Sequence, residues 1–166
     1  RGPAELKVGG VRRVIISNVV VYDGKSPYAC TISGIPNHPI EDIQLSNIRL
    51  YYQGTVSGDH SADPVPEAEN SYPEPGIFGP NPANSFFIRH VKNIKLTDVE
   101  CVGLAPDGRP AIRMDDVEGV YIHHLTVPHG SGPYPLLLNN VKDISIYQSR
   151  GIANQENKTG ATLSLE

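Results

Sequence analysis

Apolar and polar residues alternate through most of this chain, in blocks that repeat. Five segments share the pattern V/I-x-x-I/V-x-I/L-x-x-h-x-h, where h is apolar. They are VRRVIISNVVV from Val11, IEDIQLSNIRL from Ile40, VKNIKLTDVEC from Val91, VEGVYIHHLTV from Val117 and VKDISIYQSRG from Val141, the last degenerate at its end. Their starts lie 29, 51, 26 and 24 residues apart, so the second interval holds one period plus an insertion of about 25 residues. Alternation within a copy (Ile43, Leu45, then Ile48, Leu50) predicts two short strands that meet at a corner. Three copies place Ser17-Asn18, Ser46-Asn47 or Thr97-Asp98 at that corner, and the later two have His123-His124 and Gln148-Ser149. Short polar side chains suit such bends, because they bond nearby backbone groups and tolerate left-handed conformations. Further strands are expected at Phe86-Phe87-Ile88, at Ala111 to Met114 and at Leu136-Leu137-Leu138, with Thr162 to Leu165 as a terminal one.

Three short strands per repeat of this length describe the coils of a parallel β-helix. A propeller blade needs about 40 residues and a leucine-rich repeat its own leucine signature. Sandwiches should show two-residue hairpin signals between strands, and Asn-Gly, among the strongest of them, is absent from this chain. The fold expected is therefore all-β: a right-handed parallel β-helix of about six coils, spaced roughly 4.8 Å apart, in a single domain over residues 1–166. Residues 1–10 contain no amphipathic capping helix. The chain thus reads as the later part of a longer solenoid, with an open N-terminal edge that another β-helical chain can join.

Composition sharpens this. The 166 residues include 16 Gly and 15 Pro, enough for frequent turns but short of the roughly 25–30% expected of unpatterned disorder. Six prolines and four glycines fall in residues 53–85, which marks the insertion as one long Pro-rich loop. The formal charge of −4 argues against nucleic-acid binding, and no apolar run is long enough to span a bilayer as a helix. Cys30 and Cys101 are expected as two small buried thiols, and nothing in the sequence supports a bridge between them. Six His without HExxH or CxxC spacing give no expected metal site, and no cofactor motif is present. Asn157-Lys158-Thr159 fits the glycosylation sequon, meaningful only in a eukaryotic secretory pathway.

Val91 to Val99 and its sibling at 11–19 resemble the recurring coil of polygalacturonase-like glycoside hydrolases, family 28. Ser33-Gly34-Ile35-Pro36-Asn37-His38-Pro39-Ile40 with Leu45 to Ile48, and Tyr72-Pro73-Glu74 with Phe86 to Val91, resemble bacterial members of that group. The resemblance spans residues 1 to about 151. It implies a secreted or periplasmic protein that acts on galacturonate-containing polysaccharide, by inverting hydrolysis with a carboxylate pair roughly 6.5–9.5 Å apart. The family's Asn-x-Asp, Asp-Asp, Gly-His-Gly and Arg-x-Lys series is not matched. Asn84 stands where the first catalytic Asp would lie. Asp115-Asp116 reads as a solvated turn, Pro128-His129-Gly130 as a loop, and Arg1 with Lys7 as poor remnants of a basic motif. No catalytic residue is therefore assigned, and the chain resembles the C-terminal part of such an enzyme.

The candidate substrate-binding residues are Arg89, His90, Tyr72, Glu74 and Phe78. Arg89 and His90 follow the insertion directly, and Arg binds carboxylates in bidentate fashion. Arg89 can equally pair with Glu67, Glu69 or Glu74, and His90 can serve as a hydrogen-bonded edge residue. Tyr72 and Phe78 can stack on sugar faces or pack the loop. Three functions remain open: weak or absent hydrolysis by an enzyme fragment, carbohydrate binding without catalysis, and a structural module that assembles through its open edge.

Overall fold

The computed structural model describes residues 8–165 except 26, 55, 60, 61, 75, 80, 81 and 128–134; of the side chains at 157 and 160–165 it says nothing. Arg1, Lys7 and His129 fall outside the described residues. Among the described residues seven strands form one sheet: β1 (Arg12–Gly24), β2 (Cys30–Ser33), β3 (Ile40–Tyr52), β4 (Phe86–Gly103), β5 (Ile112–Thr126), β6 (Leu136–Tyr147) and β7 (Gln155–Leu165). Their order is β1-β3-β4-β5-β6-β7, with β2 beside the first residues of β4. All pairings are parallel except β6 with β7. This mostly parallel all-β arrangement is compatible with the fold expected from the repeat. Among the described residues no helix is long and apolar enough to cross a membrane.

Parallel register aligns the repeats residue for residue: Ile40, Val91, Val117 and Val141 pair in succession, as do Leu45, Leu96, Ile122 and Ile146. Equivalent apolar positions thus fall into rows, and the rows fuse into one buried cluster through β3 to β6. A strand of pure alternation cannot bury both Val91 and Ile94, three residues apart. One left-handed residue in each three-residue gap resets the parity. Three rows of them run across the sheet: Arg13, Asp42, Asn93, Gly119 and Asp143; Asn18, Asn47, Asp98, His124 and Gln148; and His90, Asp116 and Asn140.

Left-handed φ costs an L-residue roughly 1–2 kcal/mol, least for Asn and Asp, which bond locally. Side-chain bonds between neighbouring corners offset the cost. Asn47 Nδ2 donates to Asn18 Oδ1 (2.7 Å), Asn93 Nδ2 to Asp42 Oδ1 (3.1 Å) and Asn140 Nδ2 to Asp116 Oδ1 (2.8 Å). Gly119 is the one glycine in these rows; at φ 73° a side chain would be strained, and a Cβ 2.7 Å from Asn93 Oδ1 would also push that amide aside.

Three expectations change. Thr162 to Leu165 do form a terminal strand, but β7 runs antiparallel, with Leu136 opposite Leu165 and Leu138 opposite Leu163. Cys30 is exposed, because β2 is an edge strand, whereas Cys101 is buried. Asp115-Asp116 forms the expected bend before Val117, with Asp116 exposed and left-handed (φ 56°), but the bend lies within β5 and Asp115 is half-buried against Arg113.

Candidate functional site

Residues 53–85 separate β3 from β4, and the described part of this loop packs over the start of β4. Phe86 and Ile88 join the main core, which turns Phe87 to the other side of the strand. There Phe87 packs edge-on against Phe78 (centroids 5.6 Å apart, 72° between planes), with Ala83, Val65, Ala68 and Ile77 around them. Each phenyl burial stabilises by about 2–3 kcal/mol, so the loop has a small core of its own.

Arg89 fixes the loop's path. Its side chain is 3% exposed. Nη1 donates to the Val65 carbonyl (3.1 Å), and Nη2 to those of Pro66 (2.8 Å) and Glu67 (3.4 Å). The guanidinium stands 3.5 Å from Glu67 Oε2 and lies over the Phe78 and Phe87 rings, 4.9 and 5.5 Å from their centroids. Burial pulls its pKa down, while the Glu67 and Asp115 charges act against that shift. Arg113 on β5 repeats the device: Nη1 donates to the Asp63 carbonyl (3.0 Å) and Nε to both Asp115 oxygens (3.0 Å).

His90, left-handed at φ 49°, lies between two acids. Its Nδ1 is 2.7 Å from Asp116 Oδ2 and its Nε2 2.9 Å from Glu67 Oε2. Asp115 also accepts from Asn139 Nδ2 (2.7 Å). The neighbouring acids of β5 are thus held by Arg113, Asn139, His90 and Asn140. Asn84 is buried and donates to the Arg109 carbonyl (3.1 Å); its amide cannot act as a general acid or base.

A groove of about 350 Å³ opens between β2 and the loop, lined by Ala29, Thr31 and Ser33 on one wall and Pro73, Glu74, Ile77 and Phe78 on the other. Of the five candidates, Glu74 and Phe78 line it. Arg89 lies beneath Phe78, bonded to the loop backbone, and His90 is linked to the same loop through Glu67. Tyr72, 82% exposed, stands outside the groove.

Thr31 and Ser33 were not among the binding candidates read from sequence, although they are the polar alternates of Cys30-Thr31-Ile32-Ser33. Nor was the buried pair Arg109–Asp107, joined by Nε–Oδ1 (2.9 Å) and Nη2–Oδ2 (2.8 Å) bonds; Arg109 Nη1 also reaches the Pro27 carbonyl (2.7 Å). Among the described residues no three His, Cys, Asp or Glu side chains gather to hold a metal. Comparison with protein-family models, with curated proteins and with solved structures found no match.

Proposed function

We propose that the chain is a carbohydrate-binding, right-handed parallel β-helix of about six coils, similar to the C-terminal part of polygalacturonase-like hydrolases, which holds a pectic oligosaccharide between β2 and the loop. The groove carries this reading. Thr31 and Ser33 carry hydroxyls two residues apart on one wall, which donate to the Ala29 (3.5 Å) and Gly34 (3.0 Å) carbonyls and keep oxygen lone pairs as acceptors; Phe78 and Ile77 present apolar surface on the other wall, and Glu74 adds an acceptor. Sugars have hydroxyl edges and C–H faces, so they need both kinds of wall. A volume of about 350 Å³ is at the small end of ligand sites, enough for one or two rings. Rows of bends recurring at matched register support the β-helix.

The pectic substrate and a secreted or periplasmic location rest on the family resemblance. Binding without turnover suits the acids of β5, each tied to basic or amide partners. Arg89 donates to loop carbonyls, so a uronate in the groove meets Glu74 and no cation from that residue. Neutral sugars of the polymer should therefore bind more tightly than its uronates.

Calorimetric titration with neutral and acidic pectic oligosaccharides tests this, together with a reducing-end assay. Thr31→Val should weaken binding about five- to tenfold with melting unchanged, since one hydrogen bond is worth about 1 kcal/mol. Glu74→Gln should improve uronate binding, and no reducing ends should form. Absence of binding, or binding indifferent to both substitutions, refutes the groove; turnover abolished by Asp115→Asn replaces binding with catalysis.

A further inference from the structure

Neighbouring residues of a strand point to opposite faces, but His123 and His124 both face outward. Ile122 and Leu125 on either side of them are buried, and the left-handed bend at His124 (φ 55°) takes up the extra residue. The two imidazoles therefore lie side by side, with ring centroids 3.7 Å apart and 31° between planes. The same bend recurs on β4 at Asp98 (φ 54°) and directly after β6 at Gln148 (φ 48°). Register sets Thr97, His123 and Tyr147 in one row, so Asp98, His124 and Gln148, each one residue on, fall beside one another in the next.

Gln148 Oε1 is 2.9 Å from His123 Nε2 and 3.0 Å from His124 Nε2, so two ring nitrogens converge on one oxygen. At the roughly 2.1 Å bonds that imidazole makes to a divalent transition ion, two donors at right angles about the ion stand about 3.0 Å apart. The three atoms are thus already spaced as neighbours in one coordination shell. The other nitrogen of His124, Nδ1, lies 3.0 Å from Asp98 Oδ1. A carboxylate there holds the Nδ1 proton and leaves Nε2 with its lone pair free, which is how metal-ligating histidines are oriented. Asp98 stands behind the ring and is not a ligand. Two imidazoles and an amide make up the donor set, which is why no trio of His, Cys, Asp or Glu marks the place among the described residues. Tyr121 lies along His123, with centroids 6.3 Å apart and 26° between planes, and steadies that ring. The His124 side chain is 48% exposed, so an ion reaches it from solvent.

We propose that His123 Nε2, His124 Nε2 and Gln148 Oε1 form a surface site for one divalent transition ion that prefers imidazole, such as Ni²⁺ or Cu²⁺. Donors at right angles suit these ions better than tetrahedral Zn²⁺, whereas Mg²⁺ and Ca²⁺ favour oxygen-only sets. The three donors take one side of the ion and leave its other positions to water. A proton on either Nε2 leaves to solvent as the ion binds, so affinity falls as pH drops into the range where imidazole is protonated. The ion links β5 to the residue after β6 and stabilises their pairing, because the unfolded chain does not hold these donors together. The site shares no residue with the groove, so failure of either reading leaves the other standing.

Isothermal titration of the whole chain, free of any affinity tag, with NiCl₂ is the test, and MgCl₂ is the control. One Ni²⁺ per chain should bind at about pH 7.5 and raise the melting temperature, with affinity at least about tenfold lower at about pH 5.5. MgCl₂ should do neither. His124→Asn keeps a residue that tolerates the bend, and His123→Phe keeps a ring beside Tyr121; each should cost at least about tenfold in affinity. Asp98→Gly removes the carboxylate without straining φ and should weaken binding about tenfold. Gln148→Glu supplies an anionic donor and should tighten binding several-fold, a gain that loss of structure cannot produce. Circular dichroism checks that each variant folds. No Ni²⁺ bound at about 1 mM, binding unchanged in the His123→Phe/His124→Asn double variant, Asp98→Gly without loss, or Gln148→Glu without gain would overturn the proposal.

Discussion

Replacing Arg89 by Met keeps most of the side chain's length and removes its donors. Lost are the bonds to the carbonyls of Val65 and Pro66 at 3.1 and 2.8 Å, the longer one to Glu67, and the 3.5 Å ion pair. Hydrogen bonds from a charged donor are worth about 1.5–3 kcal/mol each, but removing a buried charge also removes its desolvation cost. A net loss of about 2–4 kcal/mol follows, which lowers the docked-to-released ratio of the loop roughly 30- to 1,000-fold. The effect should be local, because the buried rows of β4 to β6 (Ile94, Leu96, Val120, Ile122, Ile144) do not use Arg89. Native-state hydrogen exchange with limited proteolysis reads both: protection should fall around residues 63–78 and persist in β4 to β6. Unchanged loop protection would refute the clasp. Equal loss of protection in loop and core would show that Arg89 supports the whole sheet.

Three further outcomes follow from burial and close contact. Burial pushes the Cys101 thiol up to about 12 from 9.0. The native state therefore holds this proton after the unfolded chain has released it: the stabilisation is complete below about pH 9 and is lost between 9 and 12. Cys101→Ala should flatten the alkaline limb of a denaturant-stability profile by up to about 1.4 kcal/mol per pH unit there; an identical limb in the variant would contradict it. In the native protein Cys30 should react with a thiol reagent before Cys101, since only Cys30 is exposed, but slowly at pH 8, because burial of its sulfur pushes its pKa up as well. Gly108→Ala places a Cβ against the Gly58 carbonyl and should displace the loop segment that accepts the Gly108 N–H at Val56 O (2.8 Å). A cost of roughly 1–3 kcal/mol, read as a lower melting temperature and faster proteolysis near Gly58, is expected; wild-type behaviour would show that the contact relaxes freely.

Local chemistry carried much of the architecture. Alternation marked the strands, the spacing of the five copies aligned Ile40, Val91, Val117 and Val141, and paired Asn, Asp and hydroxyl residues announced the corners. Even the bends at Asp116 and Asn140 were there to be read, in the three-residue gaps from Met114 to Val117 and from Leu138 to Val141. Spacing of apolar residues reports which face a side chain takes, and that is a property of a few neighbours. The candidate site depended on more distant relations. Arg89 follows the acidic loop in sequence, but its partners are mainly backbone carbonyls of Val65, Pro66 and Glu67, which no side-chain pattern reveals. Thr31 and Ser33 became groove walls only because the loop returns opposite an edge strand. Direction and edge position escape for the same reason: alternation is unchanged when a strand is reversed, so β7 could be foreseen as a strand but not as an antiparallel one. Exposure of the valines and isoleucines of β1 likewise depends on what lies beyond the strand, which is settled by chain packing over tens of residues and not by the composition of the strand.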